Sequence, residues 1–186
     1  MERREAVKYI SLLLGGTIIG GSAILSGCKT KTGVTLDFTT DQVAWLNEVA
    51  NTILPDTKTP GAKAAKVGEF MKVMVNDCYE KKDQDTFKEG FKKLDDFSEK
   101  TFDQSFLKLS PEQRHELLVN LDKEQKEYMA AKKPEDPGHY FRMMKELTLL
   151  GYFTSEIGCK EARNYVERPG RYEACIDYKK GDKAFA

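Results

Sequence analysis

The sequence predicts an all-α protein: a single compact domain of five or six helices behind an N-terminal export signal and a polar spacer. Three observations predict it. Apolar residues recur at intervals of three and four through most of the chain. No run of alternating β-branched residues is long enough for a sheet. Clusters of Pro and Gly cut the chain into segments of helical length.

Residues 1–27 read as an export signal. "MERREAVK" is a basic start, "YISLLLGGTIIGGSAIL" an apolar run of 17 residues, and "LSGC" places small residues directly before Cys28. A permanent membrane anchor is the alternative, but the run is short and lies beside a cleavage-like site. Leu25-Ser26-Gly27-Cys28 resembles a bacterial lipobox, in which processing leaves a lipidated Cys28 that tethers the chain to a membrane. Arg3 and Arg4, followed by Ala6, Val7 and Lys8, resemble a twin-arginine signal, the route for folded cargo. Glu2 before the pair and Ala6 in place of a bulky residue keep the ordinary secretory route open. Residues 28–38 are the spacer, and residues 39–186 the helical domain with an irregular C-terminal tail.

"TTDQVAWLNEVANTILP" predicts the first helix, capped by Thr39 or Thr40, with Val43, Leu46, Val49, Ala50, Ile53 and Leu54 on one face and Pro55 ending it. "DTKTPGA" is a turn, because Pro60-Gly61 punctuates strongly. Val67, Phe70, Met71, Met74, Val75 and Cys78 place a second helix over residues 63–80, and Phe87, Phe91 and Leu94 a third over residues 84–99. "TFDQSFLKL" forms a shorter link. Ser110 is an N-cap, with Pro111 at the first helical position and Gln113 completing a capping box, so a fourth helix starts there and turns Leu117, Leu118 and Leu121 inward. "KKPEDPG" breaks the chain before what is expected to be the longest and most apolar helix, residues 139–156, with Tyr140, Phe141, Met144, Leu147, Thr148, Leu150 and Gly151.

Charge and composition exclude several functions. Lys+Arg and Asp+Glu each total 30, and the mature chain after residue 27 carries 27 against 28. A net charge of −1 with interspersed signs offers no field for phosphates, so nucleic acid is not an expected partner. The two histidines, His115 and His139, lie far apart, with no carboxylate or cysteine spaced to make a metal site, and no C-x-x-C-H haem attachment pattern occurs. "GGTIIGG" lies in the signal and does not follow a strand, so it is not a dinucleotide loop. No G-x-S-x-G or P-loop is present. The adjacent acids Asp95-Asp96 and Glu135-Asp136 are expected to be solvated.

In "LTLLGYFTSEIGC", Thr154, Ser155 and Glu156 are consecutive on a helix and do not face one another, which argues against a nucleophile with its base. Gly158 is expected as a helix C-cap, and Gly151 as a point of close approach by another backbone. With Cys28 lipidated, three cysteines remain in an oxidising compartment. A Cys159–Cys175 disulfide with Cys78 buried on its helical stripe is expected; a bridge to another chain is the alternative.

"ILPDTKTPGA", "LTLLGYFTSEIG" and "RPGRYEAC", in that order over roughly residues 39–178, together with "LSPEQRHELL" between them, resemble the gluconate 2-dehydrogenase subunit 3 family. The resemblance implies a small subunit without catalytic residues and without a cofactor of its own. Its implied partner is a large flavoprotein of the glucose-methanol-choline oxidoreductase type carrying FAD, often with a c-type cytochrome as electron acceptor. The small subunit is expected to help the large one mature and leave the cell, and the family's substrates are sugars, sugar acids and glycosides, oxidation of a glycoside at C3 included. Pro55, Pro60 and Gly61 are then expected to fix a loop beside Tyr152, Phe153 and the Tyr172 region, on one face that grips the flavoprotein. Core packing is the alternative role for these aromatics. The expected location is periplasmic and membrane-anchored. A free-standing helical lipoprotein that binds a ligand or partner is the other reading, and an autonomous enzyme the weakest.

Overall fold

The computed structural model describes residues 38–168, 170–171 and 175–185. The chain divides into two units, residues 1–35 and 36–186, and every described residue lies in the second. The expectations for Arg3, Arg4, Cys28 and Tyr172 fall outside the described residues.

The described residues are helical, without a named strand. Five α-helices run α1 (Thr40–Ile53), α2 (Val67–Cys78), α3 (Lys81–Phe102), α4 (Pro111–Ala131) and α5 (Tyr140–Thr154), with a 3-10 turn at Phe106–Lys108 and a π turn at Gly158–Ala162. The helix α5 packs against all four others. It buries Tyr140, Phe141, Met143, Met144, Leu147, Thr148, Gly151 and Tyr152, a stripe repeating at three and four residues. Leu150 does not belong to it. Its side chain is exposed, because the stripe runs through Leu147, Thr148 and Gly151 and leaves the next position facing outward.

Helix starts follow their capping chemistry. Thr39 and Gln42 form a reciprocal capping box on α1, as Ser110 and Gln113 do on α4, where Pro111 opens the helix. The second helix begins at Val67 rather than residue 63, because Lys66 adopts a left-handed conformation with φ 52° that interrupts the Lys-Ala-Ala-Lys run. At its other end, Gln84 of α3 donates from Nε2 to the carbonyls of Val75, Asn76 and Tyr79, each at 3.1 Å, satisfying groups that the end of α2 leaves open. Cys78 sits at that end and is exposed rather than buried, since the helix stops before another turn can cover it.

The third helix is longer than predicted, from Lys81 to Phe102, and with 22 residues it exceeds α5, which has 15 and was expected to be the longest. Asp95, expected in solvent, accepts from the Phe106 backbone N–H at 3.1 Å, and Ser98 donates to the Gln104 carbonyl at 2.6 Å, so α3 organises the turn after it. Arg114 completes that turn from α4, donating to the carbonyls of Phe106 (3.2 Å) and Leu107 (2.6 Å). Phe38, the last residue of the predicted spacer, is buried and packs on Phe87 and Phe91, which belong to an aromatic group continued by Trp45 and Phe106.

Glycines permit two of the closest approaches. A methyl group on Gly68 would lie 2.7 Å from the Val43 carbonyl oxygen and 2.8 Å from the Asn47 side chain, so α1 and α2 meet backbone to side. At Gly151 the neighbour is the Phe70 ring, 2.6 Å from an added Cβ, and not the backbone that the sequence suggested. Gly158 is not the C-cap of α5. Ser155 takes that place, and Gly158 opens the π turn, where an added Cβ would collide with the Tyr152 carbonyl.

Asp122 ties α4 to α5, accepting from Lys145 at 2.5 Å and from Lys126 at 2.7 Å. Hydrogen bonds from Lys126 and then Lys145 push its carboxyl down to about 2. Its contribution to stability is therefore complete above the ordinary aspartate pKa and lost as pH falls toward the folded value. Asp122→Asn is expected to lower the melting temperature at neutral pH, and the gap from wild type should close between about pH 4 and about pH 2. A gap unchanged by acid would contradict the ion-pair origin. Gly68→Ala is expected to destabilise by about 1–3 kcal/mol in a denaturant titration, because the backbone oxygen it meets cannot rotate away.

Candidate partner interface

The loop between α1 and α2 closes on itself. Leu54 accepts from the Ala62 N–H at 2.9 Å, and Asp56 Oδ1 accepts from the Gly61 N–H at 2.6 Å. Gly61 is required there, since a Cβ would lie 2.6–2.7 Å from the Leu54 carbonyl oxygen and the Pro55–Asp56 peptide. Pro55 and Pro60 remain exposed on the outside of this loop.

The loop is then fastened to α5. The Tyr152 hydroxyl donates to the Pro60 carbonyl at 2.7 Å, across 92 residues of sequence, so Pro60 and Tyr152 are neighbours as expected. Tyr152 itself is buried. Its ring packs inside the domain, and its role is to hold the loop rather than to face a partner. Phe153 is half-buried, edge-on to Tyr152 at 5.1 Å, and the Arg163 guanidinium lies 4.7 Å above its ring. The aromatic charge stack closes the end of the helix.

The polar groups of "TSEIGC" are all engaged locally. Thr154 donates to the Leu150 carbonyl at 2.7 Å, while Ser155 donates to Tyr152 O at 2.6 Å and accepts from the Gly158 N–H at 3.0 Å. Glu156 pairs with Lys160 in solvent, which lowers its carboxyl below the usual value. The Cys159 thiol points at the Phe153 carbonyl, 3.3 Å away. Cys159 and Cys175 are both free, so the expected disulfide between them is not formed: Cys159 is turned into the end of α5 and Cys175 lies exposed on the tail.

Beside the loop, an open cleft of about 500 Å³ runs between α1 and α4, lined by Glu48, Asn51, Pro55, Glu112, Arg114 and His115 among others. Its Glu48 and Arg114 are paired with each other. Glu48 accepts from Arg114 at 2.8 Å and from Lys63, and the hydrogen bond from Lys63 is the main reason its carboxyl is lowered. Arg114 also donates to the Phe106 and Leu107 carbonyls, and His115 is exposed on α4. No group of three or more His, Cys, Asp or Glu converges on a metal-sized point among the described residues.

Sequence reasoning missed the surface that continues from this seam. Asn164, next to Arg163, pairs with Phe185 in a parallel bridge, and this tail exposes Tyr165, Val166, Ile176, Tyr178 and Phe185. Its apolar residues are unevenly spaced, so periodicity carried no signal for them.

This is a helical domain whose two loop motifs are bonded into one surface and whose polar groups are committed to holding it. A family model for gluconate 2-dehydrogenase subunit 3 matches residues 40–170, and the chain belongs to that family. It is accordingly an accessory subunit of a gluconate 2-dehydrogenase-type complex, with a dehydrogenase catalytic subunit as its partner. Comparisons with curated proteins and with solved structures returned no match.

Tyr152→Phe is expected to release the loop at a cost of about 1 kcal/mol in thermal or chemical unfolding. Amide exchange at Gly61 and Ala62 should accelerate with it. Exchange that stays at the wild-type rate would show that the loop does not depend on Tyr152.

Proposed function

We propose that this subunit serves a catalytic flavoprotein of the glucose-methanol-choline type, with FAD on that partner and none on this chain. The complex oxidises sugars, sugar acids or glycosides, glycoside 3-dehydrogenation being one such reaction, and passes electrons to an acceptor such as a c-type cytochrome. The chain assists maturation of the catalytic subunit, escorts it across the membrane on the Arg3-Arg4 signal, and tethers it at the periplasmic face through lipidated Cys28.

The observation that carries this reading is the Tyr152–Pro60 hydrogen bond. It joins two separated motifs into one surface, while the hydroxyl and carboxylate groups around it are bonded within the chain. A surface so arranged offers shape to another protein. An export route for folded cargo also suits a partner that must receive its flavin in the cytoplasm.

The test is co-expression of the full chain with its catalytic subunit, following flavin absorbance and dye-linked sugar oxidation in the envelope. Replacing Arg3 and Arg4 by Lys should leave the flavoprotein in the cytoplasm, and Cys28→Ala should release active complex from the membrane. Normal export and activity of the catalytic subunit in cells lacking this chain would sink the escort role.

A further inference from the structure

The C-terminal tail presents apolar side chains that the helical body does not cover. Tyr178 and Phe185 are 75% and 63% exposed, and Ile176 is exposed beside them. On the helices, by contrast, outward faces carry ion pairs one turn apart, such as Lys81–Asp85, Lys93–Glu89 and Arg142–Glu146.

The tail is held in place. The Asn164 N–H donates to the Ala184 carbonyl at 2.8 Å, the Asn164 side chain donates to the Lys183 carbonyl at 3.2 Å, and Lys183 reaches the Glu161 carbonyl at 2.5 Å. Asp182 accepts from the Lys179 N–H at 2.7 Å, closing a turn at the tip. These bonds surround an open hollow of about 870 Å³ walled by Ile176, Tyr178 and Phe185 together with Asp177, Asp182 and Lys183. Ordering a segment costs about 1–2 kcal/mol per residue, and here no burial of its large side chains offsets that cost within the chain. Grouped exposed apolar residues of this kind mark a surface that another molecule covers.

We propose that the tail is a clamp through which this subunit grips its catalytic subunit, seating Ile176, Tyr178 and Phe185 in an apolar groove rimmed by carboxylates. The inference rests on the accessory-subunit reading and names the part of the chain that makes the contact. Continuity supports the choice of occupant. From Pro60 through Tyr152, Phe153 and Arg163 to Asn164, direct contacts lead from the seam between the two motifs into the tail. Charge supports the acidic rim, because Lys179 and Lys180 directly follow Tyr178, outnumber Asp177 before it, and form no ion pair with another described residue. Ile176, Tyr178 and Phe185 all lie beyond the span matched by the family, which ends at residue 170, as a contact fitted to one particular partner would.

The experiment measures binding of the purified chain to its purified flavoprotein catalytic subunit, by sedimentation and by biolayer interferometry. The wild-type chain should bind, and Tyr178→Ser combined with Phe185→Ser should weaken binding at least about tenfold with the melting temperature of the chain unchanged. Val119→Ser, an exposed apolar residue on α4, should bind like wild type. Should the double variant melt early, Lys179→Glu with Lys180→Glu replaces it, and full binding by that folded variant would overturn the clamp. Wild-type-like binding by a folded double variant overturns the clamp and leaves the accessory role standing, whereas no binding by the wild-type chain removes both. Self-association of the chain that the double variant abolishes, with binding to the catalytic subunit intact, would assign the tail to a second copy and overturn the proposal as well.

Discussion

Everything in this domain depends on α5 being close enough to four other helices at once. That demand explains why the helix is apolar over more than half its circumference and why glycine occurs at its contacts. Gly151 leaves room for the Phe70 ring, and Gly90 of α3 leaves room for Tyr140 at the other end. Larger residues at either point would separate α5 from α2 or from α3, and the shared core of Met71, Phe87, Met144 and Leu147 would lose its common centre. The ion pair between Asp122 and Lys145 then fixes the side on which α4 lies, a directional bond added to packing that is not itself directional.

The helices were legible because their signals are local. Ser110, Pro111 and Gln113 announce a helix start through bonds reaching only three residues, and the fold keeps those bonds. The family likewise could be read from short motifs. What misled were features decided by distant partners. Residues 63–66 have good helical propensity, yet their path follows from the closure of Ala62 onto Leu54 and the left-handed turn at Lys66. Cys78 and Leu150 fit the apolar spacing of their helices but fall, respectively, at a helix end and off the buried stripe. Cysteine pairing was illegible for the same reason, since the direction of the Cys159 side chain is set by the Phe153 carbonyl.

At the candidate site the sequence placed Pro60 and Tyr152 near each other but left Tyr152 between an interface and a core role. A phenol can serve an interface or a core, and only the position of the Pro60 carbonyl decides between them. The result is a division of labour: Tyr152 supplies rigidity from within, and residues further along the chain supply the outward apolar area. Ser155 proves to be a fastening of the helix end, while Glu156 pairs with Lys160 in solvent.

His139 gives the central helix a proton-sensitive anchor. Its Nδ1 accepts from the Phe141 N–H at 3.2 Å, capping α5, and the ring stacks on Tyr140. Burial lowers its pKa, with Lys93 adding to the effect and Glu124 opposing it, so the ring stays neutral with Nδ1 free to accept. Acidification through the ordinary imidazole range of about 6.5 favours the unfolded chain, which takes up the proton more readily, and protonation within the fold would convert the cap's acceptor into a donor. The helix that the other four touch therefore carries at its start a cap that acid weakens.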